Sequence, residues 1–94
     1  MSDPSLEDRW LDVFNTAHSD PAVVGTLACP SCGEHALRLV YVVHVQEPHK
    51  AMFMFWCDSC LNGLMPNTVV VPPGGIRIEP GEEDDVPDYT LVQD

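Results

Sequence analysis

Two cysteine pairs constrain this chain more than any other feature. The first lies in Cys29-Pro30-Ser31-Cys32-Gly33 and the second in Cys57-Asp58-Ser59-Cys60, and together they use all four cysteines of the sequence. Two cysteines with two residues between them can direct both sulfurs at one ion from a tight turn, and a second such turn completes a tetrahedron. We therefore predict one bound Zn²⁺ per chain with four thiolate ligands, Cys29, Cys32, Cys57 and Cys60.

Other uses of these cysteines fit less well. Two disulfides require an oxidising compartment, but the segment from Met1 to Phe14 lacks the apolar core of a signal peptide, which predicts a cytoplasmic protein. A redox-active Cys-x-x-Cys motif normally stands alone in a βαβ unit, whereas two pairs frame a β-rich segment here. His35 follows Cys32 closely enough to compete as a ligand, but four thiolates already satisfy a tetrahedral zinc ion.

Length and charge limit the fold and its partners. The 94 residues favour one domain with a modest core, which a metal ion can stabilise by on the order of 10 kcal/mol. Fifteen acidic residues face four basic ones, giving a net charge of -11. A nucleic-acid surface needs clustered lysine and arginine, so this balance disfavours nucleic acid, and it disfavours an anionic membrane surface for the same reason. No stretch approaches the roughly 20 apolar residues of a membrane span.

The first 20 residues are predicted to carry an amphipathic helix over 4–17. Its apolar residues recur at spacings of three and four and form one stripe, Leu6, Trp10, Val13, Phe14 and Ala17. A helix this short is marginal in water unless one face is buried. Two interpretations stay open: the stripe packs on the metal domain, or Trp10 and Phe14 anchor a protein partner or a second copy of the chain.

The middle of the chain is predicted to be β-rich. Residues 22–28 have the composition of a short strand, and residues 36–46 alternate so that one face is cleanly apolar. A turn at Pro48 leads into a return strand over 51–56 that is apolar on both faces. A third strand over 68–71 would complete an antiparallel sheet. This hairpin explains how two cysteine pairs far apart in the sequence can meet at one ion.

The C-terminal part changes character. A short extended piece over 76–78 follows a Pro-Pro-Gly-Gly break, and residues 79–88 contain six acids with two prolines. This composition predicts a mobile acidic segment over 79–94. It ends in an apolar patch over 89–92, which either docks on the sheet or serves as a short linear binding motif.

Two Cys-x-x-Cys turns at opposite ends of a β-hairpin, followed by a third strand, resemble the zinc-ribbon or rubredoxin-like group over residues 26–72. The turn Cys29–Gly33 matches that group best, whereas Leu61 stands where a glycine often follows the last cysteine. The segments 36–43, 55–60 and 86–92 also look similar to small uncharacterised bacterial zinc-ribbon proteins. The resemblance implies the ribbon fold and a bound metal, and the N-terminal helix and the acidic segment lie outside it. We therefore predict a small metal-stabilised α+β domain with an N-terminal helix (1–20), a three-stranded antiparallel zinc ribbon (21–78) and the acidic segment (79–94).

Members of that group bind protein, bind nucleic acid, carry electrons or hold a domain together, so the fold alone does not choose a function. The acidic charge and the apolar surfaces of the helix and hairpin favour a non-enzymatic protein-interaction module with structural zinc, acting through a protein partner or a homodimer. A nucleic-acid-binding or transcription-associated ribbon is one alternative, and a rubredoxin-like electron-transfer protein with iron is another. An enzyme is disfavoured because four cysteines close the coordination sphere.

Overall fold

The computed structural model describes residues 5–44, 46–47, 49–82 and 86–92. These residues form one α-helix, one 3₁₀ helix and a mixed sheet of six strands. In chain order the elements are α1 (Leu6–Ser19), the 3₁₀ helix (Pro21–Thr26), β1 (Leu37–Val43), β2 (Lys50–Cys57), β3 (Asn62–Gly63), β4 (Thr68–Val70), β5 (Arg77–Ile78) and β6 (Thr90–Leu91).

Helix α1 begins at the cap that its sequence supplies. The Ser5 hydroxyl accepts a hydrogen bond from the Asp8 amide at 3.1 Å, and acids in the first turn suit the helix dipole. Pro4, with which the predicted helix starts, lies outside the described residues. Trp10, Phe14 and Ala17 are buried against the sheet, so the interpretation that the apolar stripe packs on the chain's own domain is confirmed.

The β1–β2 hairpin forms the centre of the sheet. The strands pair antiparallel, with Leu37 opposite Cys57 and Tyr41 opposite Phe53. Alternate residues of β1 are buried, and their partners on β2 share that inner face, which confirms the predicted alternation. Pro48, the centre of the predicted turn, lies outside the described residues, as does Val45. The inner face packs on α1 through Phe14, whose ring lies 4.3 Å from that of Phe53.

The prediction of a three-stranded antiparallel ribbon was wrong in extent and direction. The third strand exists as β4, antiparallel to β2, but β3 occupies the other part of the same β2 edge. Two further strands pair in parallel, β5 with β1 and β6 with β3, which gives the order β5-β1-β2-β3-β6. Each added strand is two residues long, too short for an alternating pattern to be visible in the sequence.

Glycines allow the chain to return to β1 after β4. Gly74 has φ +84°, a conformation that L side chains rarely adopt, and the Gly75 amide closes the turn on the Pro72 carbonyl at 3.1 Å. A Cβ on Gly75 would lie 2.8 Å from the Tyr41 ring. The turn therefore delivers the Ile76 carbonyl to the Tyr41 amide at 2.8 Å and starts the β5 pairing.

The predicted strand over 22–28 is instead the 3₁₀ helix followed by an extended linker. Pro21 occupies its first turn, where a missing N–H costs nothing, and Val23 donates to the Asp20 carbonyl at 3.1 Å. The Thr26 hydroxyl donates to the Val23 carbonyl at 2.7 Å. These local hydrogen bonds outweigh the β-branched composition that suggested a strand. Within the described part of the chain, no helix combines the length and apolar character needed to cross a bilayer.

Candidate metal centre

The four cysteine sulfurs form one compact cluster. All four Sγ atoms lie within 4.8 Å of one another, and the pairs Cys29–Cys60 and Cys32–Cys57 are each 3.7 Å apart. Sulfurs placed about 2.3 Å from a zinc ion at tetrahedral corners are about 3.8 Å apart, whereas disulfide sulfurs are about 2.05 Å apart. The cysteines are free thiols. Their arrangement therefore fits one four-coordinate metal ion, and it does not identify which metal.

The hairpin brings the two pairs together. The first knuckle (Cys29–Gly33) precedes β1, and the second knuckle (Cys57–Leu61) begins at the last residue of β2. The register places Leu37 opposite Cys57, and the Asp58 amide donates to the Ala36 carbonyl at 2.9 Å. The outgoing and returning strands thus start and end beside the same cluster.

The two knuckles share one backbone conformation. The Gly33 amide donates to the Cys29 carbonyl at 2.8 Å, and the Leu61 amide donates to the Cys57 carbonyl at the same distance. Gly33 has φ +80° and Leu61 has φ +57°. Leucine thus adopts the left-handed conformation that glycine supplies in the first knuckle. Such a conformation costs an L residue roughly 1–2 kcal/mol.

This asymmetry predicts opposite effects of two substitutions on the metal-bound protein. Leu61→Gly should leave the free energy of unfolding unchanged or raise it by about 1 kcal/mol, because relief of strain competes with the larger backbone entropy of glycine. Gly33→Ala should lower it by about 1–2 kcal/mol, since alanine is strained at φ +80°. Urea denaturation of both variants measures the difference. A loss of more than about 1 kcal/mol in Leu61→Gly would contradict the strained conformation.

Burial and backbone hydrogen bonds shift the pKa values of the thiols in opposite directions. Burial raises the pKa of the Cys29 thiol to about 12, and burial also raises the pKa of Cys57. The exposed Cys32 thiol has a lowered pKa, chiefly because it accepts a hydrogen bond from the Glu34 amide. The Ser31 amide approaches the Cys29 sulfur at 3.3 Å. Such backbone donors offset part of the negative charge that four thiolates would carry on a divalent ion.

Metal binding should weaken as the pH falls. Burial raises the pKa of Cys29 and of Cys57, so both thiols are protonated at neutral pH and a bound metal ion must displace both protons. Each displaced proton changes the apparent affinity about tenfold per pH unit, so affinity should fall by about a hundredfold or more from about pH 8 to about pH 7. Competition with a chromophoric chelator, corrected for protonation of the chelator, measures this slope. A flat profile would contradict displacement of protons from these thiols.

Helix α1 supports the first knuckle. The Trp10 indole N–H donates to the Ser31 hydroxyl at 2.9 Å, and the Trp10 side chain is fully buried. Its ring packs against that of Phe55 in a T-shaped contact, with 5.6 Å between the ring centroids. The residue that anchors the helix in the core is therefore also hydrogen-bonded to the residue between the first two cysteines.

A carboxylate supports the second knuckle. Asp58 lies between its two cysteines and accepts hydrogen bonds from the Trp56 indole at 2.7 Å and the Arg38 guanidinium at 2.8 Å. The Trp56 hydrogen bond, assisted by Arg38, holds the pKa of the Asp58 carboxyl below its usual range. Asp58 therefore stays ionised and ties the knuckle to both strands of the hairpin.

The chain's last described residues also contact the second knuckle. The Thr90 amide donates to the Leu61 carbonyl at 2.7 Å, and the Val92 amide donates to the Gly63 carbonyl at 2.9 Å. Tyr89 stacks on Trp56 with ring planes 10° apart, and its hydroxyl donates to the Leu64 carbonyl. Of the two interpretations of the 89–92 patch, docking on the sheet is the one observed.

Gly63 lies where the segment 89–92 pairs with β3, at a position with no room for a side chain. A methyl group there would overlap the Phe55 carbonyl oxygen and lie 2.6 Å from the Tyr89 ring. Gly63→Ala should therefore lower the free energy of unfolding by about 2 kcal/mol or more, by displacing Tyr89 or the β2–β3 pairing. Gly25→Ala is the control, because no atom lies within 4 Å of a Cβ added at Gly25. Equal unfolding midpoints for the two variants would contradict this packing.

The other predicted candidates lie elsewhere. His35 is exposed and lies outside the sulfur cluster. His18 hydrogen-bonds the Tyr41 hydroxyl through Nδ1 at 2.9 Å, at the far end of α1. Sequence reasoning missed the supporting roles of Ser31, Asp58 and Tyr89. The repeated serine before the second cysteine of each pair was a visible sign that the two turns are alike.

Taken together, these contacts describe four thiols presented by two matching turns, with a helix, an ion-paired carboxylate and a docked C-terminal strand around them. Such a site can hold a metal ion through protein ligands alone. No protein-family model, curated protein or solved structure matches the chain.

Proposed function

We propose that the four cysteines hold one structural Zn²⁺ in a zinc-ribbon-like arrangement and that the protein is not an enzyme. The support is the sulfur spacing, which matches tetrahedral edges, and the ligand set, which fills four-coordinate zinc without an open position for substrate. The residues that would hold the ion are Cys29, Cys32, Cys57 and Cys60. The ion would then act as a structural cross-link, because it would join the turn before β1 to the end of β2.

We further propose that the chain is a protein-interaction module. The observation that carries this proposal is the outer face of the sheet, the side turned away from α1. Exposed apolar side chains lie there on β2, on β4 and on the turn before β5: Met52 is 42% exposed, Val70 61% and Ile76 58%. Apolar sheet faces are usually covered, and contiguous exposed ones mark interaction sites.

The helix stripe is not the surface we propose. Trp10 is fully buried and Phe14 is 8% exposed, both against the chain's own sheet. Of the two surfaces considered from the sequence, the helix stripe with Trp10 and Phe14 is buried, whereas the hairpin exposes Met52 on its outer face.

Charge weighs against the nucleic-acid alternative. Arg38 is paired with Asp58 at 2.8 Å, and Lys50 approaches Glu47 at 3.5 Å. The two basic residues of the hairpin are thus each accompanied by an acid, which reduces their attraction for phosphates. The iron alternative rests on the same four sulfurs, because tetrahedral thiolates suit iron as well as zinc. Visible absorption of the native protein would support iron.

Site-specific photo-crosslinking in the cells that make the protein tests the interaction proposal. A crosslinking residue at Ile76 should capture a defined protein, and the same protein should be captured from Met52, the other side of the outer face. Met65, which is 68% exposed at the end of the sheet beside α1, is the control. Equal capture from Met65, or no adduct from either outer-face position, would contradict the proposal.

A further inference from the structure

The outer face contains a cleft at the edge of β1. Its volume is about 450 Å³, a size that accommodates one or two side chains of a ligand. Besides Val24, Leu37, Leu39 and Val86, its apolar lining includes four residues of the outer face, Val40, Trp56, Ile76 and Ile78. Paired residues lie on one face of a sheet, and so do alternate residues along a strand. Because Arg38 pairs with Trp56 and Val42 pairs with Ile78, these four lining residues are on the same face.

The rim of this cleft is acidic. Arg38 lies in the lining, but Asp58 is bound to it at 2.8 Å and offsets its charge. Glu82 also lines the cleft and gives its described lining a net negative charge, and the chain as a whole carries -11. A ligand with basic side chains would therefore gain attraction at the rim that an acidic or neutral ligand would not.

A second copy of this chain fits that rim poorly. Each copy carries a net charge of -11 with only four basic residues, so two copies placed face to face would repel each other. Two of those basic residues, Arg38 and Lys50, already have acidic neighbours within the same chain. Charge complementarity favours a different protein with the opposite charge.

We propose that this cleft binds a cationic, apolar segment of a partner protein. An apolar side chain of the segment enters between Val40, Trp56 and Ile76, and a neighbouring lysine or arginine side chain faces Glu82 at the rim. This inference rests on the proposed interaction function and adds the site and the chemical class of the partner. Affinity should fall as salt rises, because the rim contacts are exposed.

Three synthetic peptides of about ten residues test this proposal with the whole, metal-loaded protein. One alternates lysine with leucine, one alternates glutamate with leucine, and one alternates lysine with serine. The lysine–leucine peptide should bind in calorimetry and shift the amide resonances of Val40, Ile76 and Ile78. Equal binding of the glutamate–leucine peptide would overturn the charge argument, and equal binding of the lysine–serine peptide would overturn the apolar one.

Matched variants separate cleft binding from general attraction to an acidic protein. Ile76→Ser removes an exposed apolar group without changing charge and should weaken the lysine–leucine peptide about fivefold or more. Met65→Ser removes a similarly exposed group outside the cleft and should leave affinity within about twofold. Glu82→Gln, a surface change, should weaken binding about twofold. Unchanged affinity in Ile76→Ser would overturn the proposal. A dimer of the unaltered protein in sedimentation would also overturn it, if the Ile76→Ser variant were monomeric under the same conditions.

The outcome is separable from that of the crosslinking test. A partner captured at Ile76, together with no binding of the lysine–leucine peptide, would overturn the cationic class while leaving the interaction function in place. Failure to capture any protein at Ile76 and Met52 would remove the interaction function itself.

Discussion

Cys57→Ser should release the metal and unfold the domain. Cys57 is fully buried at the end of β2, and its sulfur lies 3.7 Å from that of Cys32 in the other knuckle. A structural zinc ion contributes on the order of 10 kcal/mol to folding, which is comparable to the entire stability of a small domain. We therefore expect no zinc in the purified variant by metal analysis and no cooperative unfolding transition by circular dichroism.

Ser59→Ala is the matched control for this substitution. Ser59 lies in the same knuckle and is exposed, and the serine side chain is outside the sulfur cluster. This variant should keep one equivalent of metal and change the free energy of unfolding by less than about 0.5 kcal/mol. A Cys57→Ser protein that stays folded with one equivalent of metal would contradict the role assigned to the cluster.

Trp10→Ala should have the largest effect among substitutions away from the cysteines. The side chain is fully buried, contacts Phe55 edge to face and donates a hydrogen bond to Ser31 in the first knuckle. Removing a buried tryptophan costs about 3–5 kcal/mol through lost burial and the cavity left behind. Urea denaturation of the metal-bound protein should show a loss in this range.

Two milder variants separate the contributions of Trp10. Trp10→Phe keeps most of the buried ring but cannot donate to Ser31, and Ser31→Ala removes the acceptor alone. Each should cost about 1 kcal/mol from the hydrogen bond, with a further loss of volume in Trp10→Phe. Metal release to a chelator should be faster in both variants than in the unaltered protein. A loss below about 1 kcal/mol in Trp10→Ala would show that the helix is not part of the core.

The sequence predicts well those elements in which apolar residues recur at a regular spacing over several helical turns or strand residues. Helix α1 is visible as a stripe that includes Trp10 and Phe14, and β1 is visible because alternate residues are apolar. The strands β5 and β6 are two residues long and pair with distant parts of the chain, so no local pattern marks them. The 3₁₀ helix (Pro21–Thr26) has the β-branched composition of a strand, and the proline at its start is the local sign of a helical turn.

The cysteine cluster could be predicted because metal chemistry requires those residues at that spacing. Its surroundings could not. Trp10 and Ser31 are 21 positions apart, and their hydrogen bond depends on how α1 packs on the sheet. Tyr89 and Trp56 are likewise far apart in the sequence, and their stacking accompanies the pairing of β6 with β3. Contacts of this kind follow from tertiary packing, which the order of residues in the chain specifies only indirectly.

Native mass spectrometry of protein purified without added metal tests the central claim most directly. It reports the identity of the metal, its stoichiometry and the oligomeric state in one spectrum. We predict one zinc ion per chain, bound by the four cysteines of the cluster. One iron per chain would contradict zinc as the metal. A metal-free chain whose mass is lower by the four hydrogens that two disulfides lose would contradict the metal centre altogether.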